Sequence, residues 1–262
     1  MNAKLEVDDV PISGHEQHIM LRSYRPTFEK RTLPIILYFH GGGFTSGDLE
    51  EADLAASQVA ERIPAWVVSV GYSLAPEFPF PTAPEDAYIA LAWAVRNARH
   101  YRADADRIGV AGHDAGGNIA AGLAAIARDR RQFRISAQAL LAPLLDPSMT
   151  RLADLKDVPP IDRGADECAR CYRAYLPQAM QRIHPYAAPI ESRRLVGLPP
   201  TLIASAEHDL VRSDGEKYAA ELIAAGVPAE VRRHTGATHQ ELASHPSVLV
   251  DVASFFRRRL GT

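Results

Sequence analysis

The stretch Gly112-His113-Asp114-Ala115-Gly116-Gly117 constrains this chain most, because it lies between an apolar run, Arg107 to Ala111, and an alanine-rich helical stretch, Asn118 to Arg131. Strand, sharp turn and helix in that order are the context of a nucleophile elbow. Small residues on either side let the backbone hold one side chain out at the top of a sheet. That side chain is Asp114, where the G-x-S-x-G pattern places a serine.

The rest of the chain alternates in the same way. Residues 4–10 and 18–25 read as opening strands, and 34–39, Pro-Ile-Ile-Leu-Tyr-Phe, as a strand buried on both faces. A helix over 48–63, a strand over 65–71, a proline-punctuated loop from Leu74 to Pro84 and a helix over 85–100 precede the elbow. After it come a strand over 135–141, then strands over 201–206 and 229–233 and helices over 214–225 and 246–259. Such alternation implies an α/β fold, a mostly parallel sheet with helices on both faces. Prolines break the pattern between about 145 and 195, where the clearest helical piece is Asp166 to Tyr175. A long irregular stretch inside a regular alternation is usually functional, and it is assigned as a cap inserted into a single domain spanning 1–262.

With 262 residues, 47% of them hydrophobic, the chain can bury a substantial core. A formal charge of −3 and the lack of a long basic block give no reason to expect nucleic acid as a partner. Arg257-Arg258-Arg259 reads as cations at the end of the last helix. No apolar run is long enough to span a bilayer and the N-terminus has no signal-like core, so a soluble, cytoplasmic protein is expected. The two cysteines, Cys168 and Cys171, cannot complete a zinc site by themselves and read as small buried residues on one helix face. No metal site is expected.

Two further loops carry chemistry. His40-Gly41-Gly42-Gly43 follows the third strand, where an HGGG-type loop donates backbone N–H groups to an oxyanion hole; Gly42 and Gly43 are the expected donors, with the N–H of Ala115. In the chain order nucleophile, acid, base, Asp209 follows the strand over 201–206 and His239 follows the last strand. Both stand at C-terminal strand ends, where an open α/β sheet places its site. His208 and His234 are nearby competitors for the base.

Together His40-Gly-Gly-Gly-Phe44, Tyr72-Ser-Leu-Ala-Pro-Glu77, Gly112-x-x-Ala-Gly-Gly-Asn118, Leu198-Pro-Pro200, Asp209-Leu-Val-Arg-Ser-Asp-Gly215 and Gly236-x-x-His239 resemble the hormone-sensitive-lipase-like esterases and lipases of the α/β-hydrolases. The resemblance implies an eight-stranded sheet, no cofactor, activity on small acyl or aryl esters, and a homodimer. It assigns Asp209 as triad acid, His239 as base, and Gly42, Gly43 and Ala115 as oxyanion donors. The candidates to meet substrate are His40, Phe44, His113, Tyr72, Tyr172 and Tyr175. The family's elbow is usually G-D-S-A-G-G, so this chain has His113 for Asp and Asp114 for Ser; that pair is similar instead to the G-H-D-x-G elbow of epoxide hydrolases.

An aspartate of reference pKa ~3.9 is ionised at neutral pH and needs no base to attack. Against an ester carbonyl it would be expelled in preference to an alkoxide, whereas attack on a saturated, electrophilic carbon gives an alkyl ester of Asp114. His239, oriented by Asp209, would then activate the water that hydrolyses it. An epoxide fits best, with Tyr172, Tyr175 or Tyr186 as acid for the opening oxygen. A halide substrate fits less well, because Ala115 replaces the aromatic residue that dehalogenases use there. Two alternatives stand beside this reading. One is a carboxylesterase-like hydrolase that forms no covalent intermediate; the other is a silent ligand-binding relative, in which Asp114 caps its own helix and two carboxylates hold His239 as an imidazolium.

Overall fold

The computed structural model describes residues 5–152 and 164–261. Eight strands, β1 (Leu5–Ser13), β2 (His18–Pro26), β3 (Leu33–Phe39), β4 (Trp66–Gly71), β5 (Ala103–His113), β6 (Ala137–Leu141), β7 (Thr201–His208) and β8 (Ala229–Thr238), form one sheet in the order β1-β2-β4-β3-β5-β6-β7-β8. The β1–β2 and β2–β4 pairs are antiparallel; every later pair is parallel. The fold is the expected α/β-hydrolase sheet.

Among the described residues there are six α-helices: α1 (Leu49–Arg62), α2 (Thr82–Asn97), α3 (Ala115–Arg130), α4 (Ala165–Tyr175), α5 (Arg212–Ala224) and α6 (Pro246–Leu260), and all but α4 lie against the sheet. All seven residues of β3 are buried, as their continuous apolarity requires. Ile35, Leu37 and Phe39 face a core shared with α2, α3 and α5, while Ile36 and Tyr38 face the opposite core, closed by α1 and α6. The chain leaves β3, β5, β7 and β8 at the same edge of the sheet. That shared edge brings four distant loops together.

Several boundaries differ from the sequence reading for local reasons. α2 starts at Thr82, because Pro84 falls in its first turn, where a missing N–H costs nothing. α3 starts at Ala115 and not Asn118: Gly116 and Gly117 are poor helix formers but are the residues that fit. A Cβ on Gly116 would lie 2.1 Å from the Phe39 carbonyl oxygen, and one on Gly112 would lie 2.3 Å from Gly116 itself. β8 runs on to Thr238, so His234 lies within a strand. Arg257, Arg258 and Arg259 do occupy the last turn of α6, where Arg258 and Arg259 pair with Glu230.

Of the stretch expected to form a cap, α4 and two short 3-10 turns, Ala179–Ile183 and Pro189–Glu191, are described; residues 153–163 of that expectation, and Lys4 of the first strand, lie outside the described residues. Cys168 and Cys171 are buried on α4, as expected of packing residues. No helix among the described residues is long and apolar enough to cross a membrane, and none of their His, Cys, Asp and Glu side chains cluster as metal ligands.

Candidate active site

Asp114 stands between the end of β5 and the start of α3 with φ +56° and ψ −119°, a backbone strained for a residue with a side chain. The turn is pinned on both sides. The Asp114 N–H donates to the Leu141 carbonyl at 2.9 Å, and the Asp114 carbonyl accepts from Gly117 and Leu144. Its carboxylate does not cap α3. It turns instead toward the glycine loop and the imidazole.

Oδ2 accepts the N–H of Gly42 at 3.0 Å and that of Gly43 at 2.7 Å. Oδ1 lies 3.1 Å from Nε2 of His239, whose Nδ1 is 3.0 Å from Oδ2 of Asp209. The three side chains are no more than 3% exposed. The Asp114 contact has hydrogen-bond geometry and the Asp209 contact is a close approach of charge; both favour the protonated ring. Burial alone would push His239 down; the charge of Asp209 and the hydrogen bond to Asp114 outweigh it and raise its pKa to about 10. At neutral pH His239 is an imidazolium between two carboxylates.

The structure thus brings Asp114, His239, Asp209, Gly42 and Gly43 into one contiguous set, with Ala115 next to them as the first residue of α3. The competing histidines stay outside it. His234 meets Ser247 and Asp251 on α6, and His208 lies 4.0 Å from Glu207.

The residues expected to meet substrate divide into two groups. His40 and His113 border a cavity of about 350 Å³ that reaches Asp114 and His239. Behind the glycine loop, Tyr72 stacks on His40, with ring centroids 4.2 Å apart, and its hydroxyl donates to the carbonyls of His40 and Gly41. Phe44, Tyr172 and Tyr175 do not border this cavity. Phe44 and Tyr175 stack at 4.0 Å, Tyr172 packs beside them at 5.7 Å, and all three are buried. They anchor α4 to the glycine loop. Tyr186 donates to Asp129 near the far end of α3, which corrects its expected place as an acid. Larger clefts open elsewhere, one of about 460 Å³ beside Arg128 and Phe133, but it holds none of these groups.

Four further residues that the sequence did not single out, Ser46, Glu51, Gln240 and Ser244, border the cavity at Asp114. Their one signal was adjacency in the chain to the glycine loop and to His239. They make this cavity's wall more polar than the cap aromatics would have.

Comparison with known proteins agrees with the architecture. A family described as having the alpha/beta hydrolase fold matches residues 36–243. The chain is 41% identical over 244 residues to Esterase LipI of Mycobacterium tuberculosis, covering 91% of this chain and 76% of the relative. It is 38% identical to Carboxylesterase NlhH of the same organism, covering 84% and 70%. Among solved structures, a hyperthermophilic esterase from Pyrobaculum calidifontis superposes with TM-score 0.88 at 36% identity, covering 97% of this chain and 83% of that one. The metagenomic carboxylesterase EstE1 superposes with TM-score 0.92 at 34% identity, covering 97% and 89%. The chain therefore belongs to the alpha/beta hydrolase family, on its esterase-like side.

Proposed function

We propose that the protein is a hydrolase of small uncharged substrates that carries them as an alkyl ester of Asp114, and that the substrate class is an epoxide. The observation that carries this reading is the seat of Asp114 Oδ2 between the N–H groups of Gly42 and Gly43. Oδ1 is then the attacking atom. When it bonds to carbon, Oδ2 becomes the ester carbonyl oxygen, already in place where charge develops in the second step.

The protons balance around His239. As Oδ1 attacks a ring carbon and the carbon–oxygen bond of the epoxide breaks, the imidazolium gives its Nε2 proton to the departing oxygen. Asp114 is now an uncharged ester, so His239 has lost one of the two carboxylates that held its proton. Neutral, it takes a proton from water, whose oxygen adds to Cγ of Asp114. The tetrahedral anion rests on Gly42 and Gly43. Its collapse breaks the Cγ bond to the alkyl oxygen, which takes the proton of the newly added hydroxyl; a diol leaves, and the carboxylate and the imidazolium are restored.

A carboxylic ester meets an obstacle in the same place. Its carbonyl oxygen needs the two N–H groups that Oδ2 holds. A second reading keeps that substrate class nonetheless, because the relatives are named as esterases and carboxylesterases. In it, Asp114 swings out of the hole and Asp114 or His239 activates water directly, without a covalent intermediate.

One turnover in ¹⁸O-water separates the two. The alkyl-ester route puts the label into the Asp114 carboxylate and leaves the first product unlabelled, read by mass spectrometry of the peptide around Asp114. Label in the first product with none on Asp114, or turnover of p-nitrophenyl acetate but of no epoxide, would overturn it in favour of the second reading.

A further inference from the structure

We propose that His113 is a positioning residue for His239, and that it must be an uncharged hydrogen-bond donor because a carboxylate stands beside it at 114. This rests on the reading above only in taking His239 as the group whose proton moves.

His113 is the last residue of β5, and its Nε2 lies 2.9 Å from the backbone carbonyl oxygen of His239. A carbonyl can only accept, so Nε2 carries the ring's proton. The bond ties the loop after β8 to the end of β5. It fixes the backbone of the residue whose imidazole must reach Asp114 at 3.1 Å. The approach is close on the other side too: a Cβ on Gly41 would lie 2.9 Å from His113 Nδ1 and 3.3 Å from Asp114 Cβ, so only glycine leaves room.

The charges make the choice of residue specific. Asp114, Asp209 and His239 together carry one net negative charge in a buried cluster. The rings of His113 and His239 are 5.1 Å apart, so a second imidazolium would face the first. Burial, then the charge of His239, lowers the pKa of His113 to about 4 and keeps it neutral. An aspartate at 113 fails twice. It adds a third carboxylate to the cluster, and it sets an acceptor against the His239 carbonyl.

The first test needs neither substrate nor variant. ¹⁵N–¹H spectra of the imidazoles at pH 7 should show His113 as the neutral Nε2–H tautomer; a charged ring or the Nδ1–H tautomer overturns the proposal. The second is a double-mutant cycle. His113→Asp should lower the folding equilibrium constant at least tenfold and raise the His239 titration midpoint, and Asp114→Asn should relieve most of that cost. His113→Gln, which keeps a neutral donor, should leave the His239 midpoint near that of the parent. Additive effects of His113→Asp and Asp114→Asn, or a His239 midpoint moved as far by Gln as by Asp, would overturn it. All these readouts come from the resting protein, so they stand or fall apart from the labelling experiment.

Discussion

The imidazole of His239 stands 3.1 Å from one oxygen of Asp114, whose other oxygen fills the space between the N–H groups of Gly42 and Gly43. One side chain therefore holds both the base and the anion site of the resting protein. Asp114→Ser should undo both. The serine vacates the space between the two N–H groups and leaves His239 a single carboxylate partner, Asp209. Because one oxyanion donor is worth ~10²–10³ in turnover, p-nitrophenyl acetate hydrolysis by Asp114→Ser should exceed that of the parent by at least ~100-fold. An Asp114→Ser protein as inactive as its parent would show that the carboxylate is not what blocks ester chemistry.

The state of His239 sets the pH dependence. Its folded pKa, about 10, lies above the ~6.5 of a free histidine, so the ion pairs stabilise the fold fully below pH ~6.5, and that contribution is lost as pH rises toward 10. The first chemical step needs the imidazolium. Epoxide turnover should stay level through neutral pH and fall above about pH 10. A rate that instead climbs through pH 6 to 7 would mean that neutral His239 starts the reaction. In Asp114→Asn, where that carboxylate is gone, the NMR titration of His239 should move to lower pH.

Much of this site was legible because its parts are local. The glycines at 41–43 and the elbow at 112–117 are contiguous motifs, and an apolar run such as 34–39 has few places to go but a strand buried on both faces. The order of Asp209 and His239 followed from the hydrolase pattern, and their meeting from the parallel sheet, whose strands end on one side. What the sequence hid depends on neighbours distant in the chain. The partner of His113 is the backbone of a residue 126 positions later. Tyr172 and Tyr175 looked like cap residues over a pocket, but α4 lies on Phe44 and turns their rings into the core. The start of α3 was missed because helix propensity penalises glycine where the close approach of Gly116 to the Phe39 carbonyl at the end of β3 demands it.

Asp214, in the first turn of α5, offers a test away from the chemistry. Its carboxyl is 3% exposed; burial, then the charge of Asp146, raises its pKa to about 8 although the N–H groups of Asp146 and Leu145 donate to it. Folded pKa above unfolded means that the folded state binds the extra proton, so this group's contribution falls as pH rises from ~4 to about 8. Asp214→Asn keeps an uncharged group of the same shape and should remove that slope. Buried His40 and His113, held below their usual range, slope the other way over part of this window. The test is therefore the difference between parent and variant denaturation midpoints across pH 4 to 8. A flat difference would mean that Asp214 does not take up its proton on folding.

Tyr72 tests whether the glycine loop is held from behind. Its hydroxyl donates to the His40 carbonyl at 2.9 Å and to the Gly41 carbonyl at 3.2 Å, while its ring stacks on His40. Tyr72→Phe keeps the stack and deletes only the donor, leaving a buried carbonyl without it at a cost of about 1–3 kcal/mol. That loss should appear in the urea midpoint. The freed loop should also place Gly42 and Gly43 less well, so breakdown of the Asp114 ester, which depends on their N–H groups, should slow more than its formation. Single-turnover experiments should then show the alkyl-enzyme accumulating in Tyr72→Phe. Lost stability with both steps unchanged would assign Tyr72 to the fold alone and leave the position of the two N–H groups to the turn at Gly42, whose carbonyl accepts the N–H groups of Thr45 and Ser46.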